Sequence, residues 1–288
     1  MSEISVSVVC LTYNHAEYVS KMLRSIIEQD TNFKYEIIIH DDASTDGTAE
    51  LIKDFEKEYP ELIQTILLDN NIFQQGLTLT PYFNALLKCR GKYIAFCEGD
   101  DYWSLSTKLQ EQHDFLEKNK TISAHIFDAS AENEFGDSVY SSKLSIAGVP
   151  PGFMDRDRLE QKFCMLPLTT MYRKPEQIEF KRYYNKCITG DKLIQLLVSQ
   201  SGGAFIDSKV VAIYRVHSGG IWSQQNASYK FYESMHSLLV QAQMLEDIKE
   251  KSTSYEFKVF LTIISAFKYL TFKGFLRVLL NYLKGKFK

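Results

Sequence analysis

Gly91–Trp103, GKYIAFCEGDDYW, is the stretch from which the chain is best read. Lys92 to Cys97 is aromatic and apolar with no turn former inside, which predicts a buried strand. The strand breaks off at Glu98, Gly99, Asp100 and Asp101, so three carboxylates fall within four residues. At the C-terminal edge of an open α/β sheet such a cluster lies where ligands bind, and carboxylates this close repel one another unless a cation joins them. Mg2+ and Mn2+ suit an all-oxygen set, and both commonly carry phosphates. A solvated acidic turn accounts for the same residues. The upstream chain separates the two readings.

Ser5–Leu11 (SVSVVCL) is a short apolar, β-branched run of the kind buried on both faces of a sheet. It stops at Thr12-Tyr13-Asn14. Asn14 with Glu17 resembles a capping box, and Val19, Met22, Leu23, Ile26 and Ile27 follow at helical spacing. A second strand is expected at Tyr35–His40, ending in Asp41-Asp42-Ala43-Ser44-Thr45-Asp46-Gly47 before a helix whose apolar face includes Ala49, Ile52 and Phe55. Leu62–Leu68 reads as a third strand. It leads through an Asn/Gln-rich loop to a helix near Thr80–Lys88 and then to the acidic strand.

This alternation predicts an α/β fold with a mostly parallel central sheet flanked by helices. Its strand ends would bring Tyr13, Asp42 and Glu98–Asp101 to one edge. An aromatic face and a carboxylate beside a metal cluster can hold a base and a diphosphate. No Gly-x-Gly-x-x-Gly follows the first strand and no P-loop motif occurs, so dinucleotide redox and P-loop chemistry are not expected.

Composition is that of an ordinary globular protein. The net charge is −3, which argues against a nucleic-acid surface. Cys10, Cys89, Cys97, Cys164 and Cys187 are an odd number with no CxxC, so buried reduced thiols are expected. No basic segment followed by an apolar run opens the chain, and no apolar run approaches the roughly 20 residues that span a bilayer. A cytoplasmic protein is expected.

The motifs VSVVCLTYNHAEYV, YEIIIHDDASTDGT and GKYIAFCEGDDYW, in that order and spacing, resemble the family 2 glycosyltransferases of the GT-A fold. These are mostly inverting enzymes that use nucleotide-diphospho-sugars. The resemblance is strongest over the first 115 residues or so. It implies a nucleotide site that includes Leu11, Tyr13, Asp42, Gly99 and Asp100. Tyr13 would lie against the base and Asp42 would accept its ring N–H; as alternatives, Tyr13 is a packing aromatic and Asp42 a helix cap. Glu98-Gly99-Asp100 takes the place of the family's DxD motif, with Asp100 as the aspartate that binds Mn2+ or Mg2+. Because the first acid here is Glu, the sugar is another contact open to Glu98, and Asp101 is assigned to the donor or acceptor sugar.

Beyond residue 119 the pattern loosens. Ile122–Ala129 reads as a strand, and residues 130–160, rich in glycine and proline, as a long loop over the acceptor. Leu166–Arg173 reads as a strand, Thr189-Gly190-Asp191 as the start of an amphipathic helix, and Ala204–Ile206 and Lys209–Tyr214 as short strands. By the resemblance Asp191 is the general base; as an alternative it only stabilises the helix N-terminus. Arg215 and His217 in Tyr214-Arg215-Val216-His217 would return to the site, Arg215 to the diphosphate and His217 to the metal or a phosphate. Trp222 is a sugar-stacking platform or a loop anchor.

Residues 1–225 are expected to form the glycosyltransferase domain, with 1–105 as the nucleotide-sugar half and 106–225 as the acceptor half. Residues 226–288 would form a helical extension. Its tail from Tyr255 carries seven Lys and Arg against the single acid Glu256, with abundant aromatics. That pattern suits docking on an anionic membrane surface at the inner face of the cell membrane, or packing on the catalytic domain or a second subunit. The expected partners are a nucleotide-sugar donor and a glycan or lipid-linked glycan acceptor. Transfer to a polyprenyl phosphate, and a non-catalytic nucleotide-sugar-binding protein, are the competing functions.

Overall fold

The computed structural model describes residues 3–161, 165–175, 191–200 and 202–220, with Asn226, Lys230 and Val240 as single positions. Strand β1 (Ile4–Thr12) runs through the sheet between β2 (Lys34–Asp41) and β4 (Tyr93–Glu98), parallel to both. β3 (Ile63–Leu67) adds a further parallel strand beside β2. The register pairs Thr12 with Asp41 and Leu11 with Glu98, so the C-terminal ends of β1, β2 and β4 lie level. That level edge is what gathers the site.

Period-2 alternation splits these strands between two cores. Val6, Val8 and Cys10 of β1, Ile37 and Ile39 of β2 and Ala95 and Cys97 of β4 face one side, where helices α1 (Val19–Ile27), α2 (Thr48–Glu58) and α4 (Lys108–Lys118) cover them. Val9, Ile38, Ile94 and Phe96 face the other, under α3 (Thr80–Lys88) and α7 (Asp191–Gln200). The result is a helix–sheet–helix sandwich, as the alternating pattern predicts. Cys10, Cys89 and Cys97 are buried free thiols, while Cys164 and Cys187 lie outside the described residues.

The second half departs from a parallel sheet. β9 (Thr170–Arg173) is antiparallel to both β4 and β6 (Ile122–Asn133), joining the two halves, and β10 (Gly203–Val216) runs parallel to β6. β5 (Tyr102–Trp103) turns straight back from the acidic cluster to pair antiparallel with β10.

Four local expectations are corrected. Asn14 caps no helix: α1 begins at Val19 with Tyr18 as its cap, and Asn14 Oδ1 instead accepts from Thr45 N at 2.9 Å, tying the β1 loop to the β2 loop. Residues 130–160 are not one loop. β6 continues to Asn133, β7 (Ser138–Tyr140) folds back on it, and α5 (Lys143–Ile146), β8 (Gly152–Met154) and α6 (Arg156–Gln161) follow. Gly136, with φ of 85°, makes the reversal between β6 and β7 that looks like loop in the sequence. Leu166–Arg173 is not all strand, because Pro167–Thr169 forms a 3-10 turn before β9. The two short strands of residues 204–214 are one strand, β10, with a register shift between Ile206 and Val210.

No helix among the described residues is long and apolar enough to cross a membrane. The expected helical extension of residues 226–288, with its basic tail, lies outside the described residues apart from Asn226, Lys230 and Val240.

Candidate active site

The loops at the level edge are stitched to one another through side chains. Asn14, held at φ 55°, donates its N–H to Ser44 Oγ at 2.8 Å; His15 N reaches Thr48 Oγ1 at 2.8 Å and Ala16 N reaches Asp46 Oδ2 at 2.9 Å. Asn tolerates a left-handed backbone better than most residues. Asp41 braces the same corner, accepting from Thr12 Oγ1 at 2.8 Å and Ser44 Oγ at 2.6 Å.

Asp42 is buried, and its two carboxylate oxygens accept Ile72 N and Phe73 N, each at 2.9 Å. Gln74 Nε2 from the same Asn/Gln-rich segment donates to Tyr13 OH at 3.2 Å. Asp42 therefore does not cap α2, whose cap residue is Gly47. It holds the segment after β3 beside the half-buried Tyr13 and keeps one lone-pair direction on each oxygen. Leu11 is half-buried, and its carbonyl accepts Gly99 N at 2.9 Å. Gly99 is fixed by space: a Cβ there would stand 2.5 Å from His15 Nδ1 and 2.6 Å from Thr12 Cγ2.

Glu98, Asp100 and Asp101 each direct a carboxylate oxygen so that all three lie within 4.8 Å of one another. Burial, and then the charges of Asp100 and Asp191, push Glu98 up to about 8. Burial, and then the charges of Asp100 and Glu98, push Asp101 well above the carboxylate range. Asp100 goes the other way. Burial would raise it, but the hydrogen bond from His217 and the field of His15 hold it below the ordinary value.

A buried acid elsewhere in the sheet provides the comparison. Glu36 accepts from Ser7 Oγ at 2.6 Å, Arg90 N at 2.6 Å and Arg90 Nε at 2.7 Å. Asp101 Oδ1 accepts Arg215 N at 2.9 Å, yet its Oδ2 is buried with no partner among the described residues. An orphaned carboxylate oxygen among two further acids fits a divalent cation better than a solvated turn. The carboxylate oxygens suit Mn2+ or Mg2+, and His217 Nε2 stands 3.0 Å from Asp100 Oδ2 beside them.

Arg215 is anchored to the protein. Its Nη1 donates to the Asp100 carbonyl at 2.8 Å, its Nε faces Glu132 Oε1 at 3.4 Å, and its guanidinium lies over the Tyr102 and Tyr18 rings. Tyr18 also packs on His217, with ring centroids 4.9 Å apart. Asp191 is the first residue of α7, half-buried, and burial raises its carboxyl above the usual range. Its charge is one of the causes that raise Glu98. Trp222 lies outside the described residues.

Three further residues of this site were not singled out in the sequence. His15, whose Nε2 is 3.8 Å from Asp100 Oδ2, sits two positions after Tyr13, and that adjacency was the available signal. Tyr18 reads as helix entry, and Glu132 sits on the part of β6 that resembled loop.

Residues 7–175 match the family model described as glycosyl transferase family 2. The chain belongs to that family. An uncharacterized protein of Mycobacterium tuberculosis is 29% identical over 236 residues, covering 79% of this chain and 64% of the relative. This chain thus spans about two-thirds or less of the length of the first curated relatives it matches. The UDP-Glc:alpha-D-GlcNAc-diphosphoundecaprenol beta-1,3-glucosyltransferase WfaP of Escherichia coli is 33% identical over 118 residues, 41% of this chain and 43% of that protein. Among solved structures, TarS residues 1–349 of Staphylococcus aureus in complex with UDP-GlcNAc superposes with a TM-score of 0.64, covering 98% of this chain and 81% of that one. At 18% identity this likeness shows the fold, which is GT-A.

Proposed function

We propose that this family 2 protein transfers a sugar, with inversion, from a UDP-sugar or dTDP-sugar to a hydroxyl of a cell-surface glycan or lipid-linked oligosaccharide. The observation that supports the reading is the acidic cluster of Glu98, Asp100 and Asp101 with His217 hydrogen-bonded to Asp100. Support for the donor and acceptor classes comes from WfaP, a UDP-Glc:alpha-D-GlcNAc-diphosphoundecaprenol glucosyltransferase, and from the UDP-GlcNAc complex of TarS.

Tyr13 would stack on the base, and the free lone pairs of Asp42 would accept a ring N–H, with Leu11 and Gly99 beneath the nucleotide. Asp100, with His217 and the neighbouring Glu98 and Asp101, would hold the divalent cation. When bound, that cation supplies Lewis-acid stabilisation of charge on a diphosphate. Asp191 takes the proton of the acceptor hydroxyl as its oxygen bonds to the anomeric carbon, while the bond from that carbon to the diphosphate oxygen breaks. The proton ends on Asp191 and the electron pair leaves with the nucleoside diphosphate. One displacement inverts the anomeric centre. Arg215 fixes the Asp100-Asp101 turn, leaving its outer face toward the diphosphate. The basic tail beyond Tyr255 would dock the protein on the membrane that carries a lipid-linked acceptor.

The test is a screen of UDP-sugars against a diphosphoundecaprenol-linked GlcNAc acceptor with Mn2+, the linkage being read by NMR. Product with inverted configuration, absent with Asp191→Asn, supports the proposal. Product of retained configuration would overturn the single displacement. Full activity of Asp191→Asn would favour an acceptor that is already ionised, such as a polyprenyl phosphate.

A further inference from the structure

His15 is built into the site without a role in the chemistry above. Its backbone is fixed from both sides: the N–H donates to Thr48 Oγ1 at 2.8 Å, and the carbonyl accepts Tyr18 N at 2.9 Å and Val19 N at 2.8 Å. Its ring lies against Gly99, at the one position of the acidic turn where a side chain has no room. Nδ1 is buried there with no hydrogen-bond partner among the described residues. Nε2 faces Asp100 Oδ2 from 3.8 Å, beyond hydrogen-bond length, while His217 Nε2 takes the same oxygen at 3.0 Å.

These contacts select a tautomer. A neutral imidazole carries one N–H and one lone pair, and a buried N–H with no acceptor is rarer and costlier than an under-used acceptor. The proton therefore belongs on Nε2, and the bare lone pair on Nδ1. That leaves an N–H beside the acidic cluster with no acceptor in bonding range among the described residues. A metal-ligating histidine ordinarily donates its other ring N–H to a partner, which the site denies to Nδ1 of His15.

We propose that His15 is a contact to the donor's diphosphate, its Nε2–H donating to a phosphate oxygen beside Asp100. The proposal rests on the nucleotide-sugar reading of the site and assigns a loop residue which that reading leaves idle. Such a bond strengthens as charge grows on the departing diphosphate, so His15 serves the leaving group, whereas His217 serves the cation.

The experiment is calorimetric titration of UDP in the presence of Mn2+ on the full chain, with Mn2+ binding alone followed by electron paramagnetic resonance. His15→Ala keeps the backbone bonds that hold the loop and is expected to weaken UDP binding about tenfold, with Mn2+ affinity unchanged. His15→Gln, which offers an amide N–H at a similar reach, is expected to recover most of that loss. Equal UDP affinity in His15→Ala, a parallel fall in Mn2+ affinity, or a Gln variant as weak as Ala would each overturn the proposal. No UDP binding by the native protein would overturn the donor-site reading itself, and this proposal with it.

Discussion

His217 Nε2 lies 3.0 Å from Asp100 Oδ2, although 117 positions separate them in sequence. Adjacent ligands on an octahedron with bonds of about 2.1 Å sit about 3 Å apart, so the spacing is already that of two neighbouring ligands of Mg2+ or Mn2+. His217→Ala should lower Mn2+ affinity at least about tenfold, the low end of what even supporting residues of metal sites contribute. Mn2+ paramagnetic resonance measures this directly, and unchanged affinity would remove His217 from the metal site.

Asp191→Asn should lower transfer by about 10²–10⁴ and leave UDP affinity intact, because the amide keeps the shape but takes no proton. Burial raises the Asp191 carboxyl above its ordinary 3.8. A base works only when deprotonated, so the acid limb of the rate should lie above the usual carboxylate range. A pH–rate profile with a plateau extending down to pH 4 would contradict the assignment.

Lys108 is fully buried, packed over Trp103 with its Nζ 2.9 Å from Gln112 Oε1, and burial pushes it down to about 7. Between about pH 7 and its ordinary 10.5 the unfolded chain binds a proton that the folded chain does not. Stability linked to Lys108 is therefore complete above pH 10.5 and is lost as pH falls toward 7, below which the difference is constant. Urea denaturation of the native protein and Lys108→Met should show the native protein gaining on the variant as pH rises from about 7 to 10. A constant difference would mean that the lysine stays charged in the core.

Gly99→Ala should destabilise the fold by about 1–3 kcal/mol, since the new methyl collides with His15 Nδ1 and Thr12 Cγ2 and the cluster has little slack. Thermal denaturation gives the cost, and Mn2+ affinity should fall with it. A variant as stable as the native protein would mean that the β1 and β4 loops separate freely.

The sheet edge was legible in the sequence because each of β1, β2 and β4 is a short apolar run that stops at a polar cluster, and parallel strands of equal register put those stops together. Asp100, Asp42 and Tyr13 were expected at that edge on this ground and lie there, while the roles proposed for them and for Asp191 come from the resemblance. What lay hidden depends on distance in the chain. The Arg215 bond to the Asp100 carbonyl needs β5 to turn back on β10, and two residues of strand leave almost no signal. Glu132 was lost because a polar strand end next to Gly136 has the composition of a loop. The Asn14 reading failed because its side chain found a partner across the sheet edge, at Thr45, and local capping lost to that contact.

The most direct test of the account is titration of UDP with Mn2+ present and with EDTA, on the native protein and on Asp100→Ala. The account predicts binding that needs Mn2+ and disappears in Asp100→Ala. UDP binding of equal strength in EDTA, or binding retained by Asp100→Ala, would contradict the claim that the cluster at the end of β4 is a metal-assisted nucleotide-sugar site.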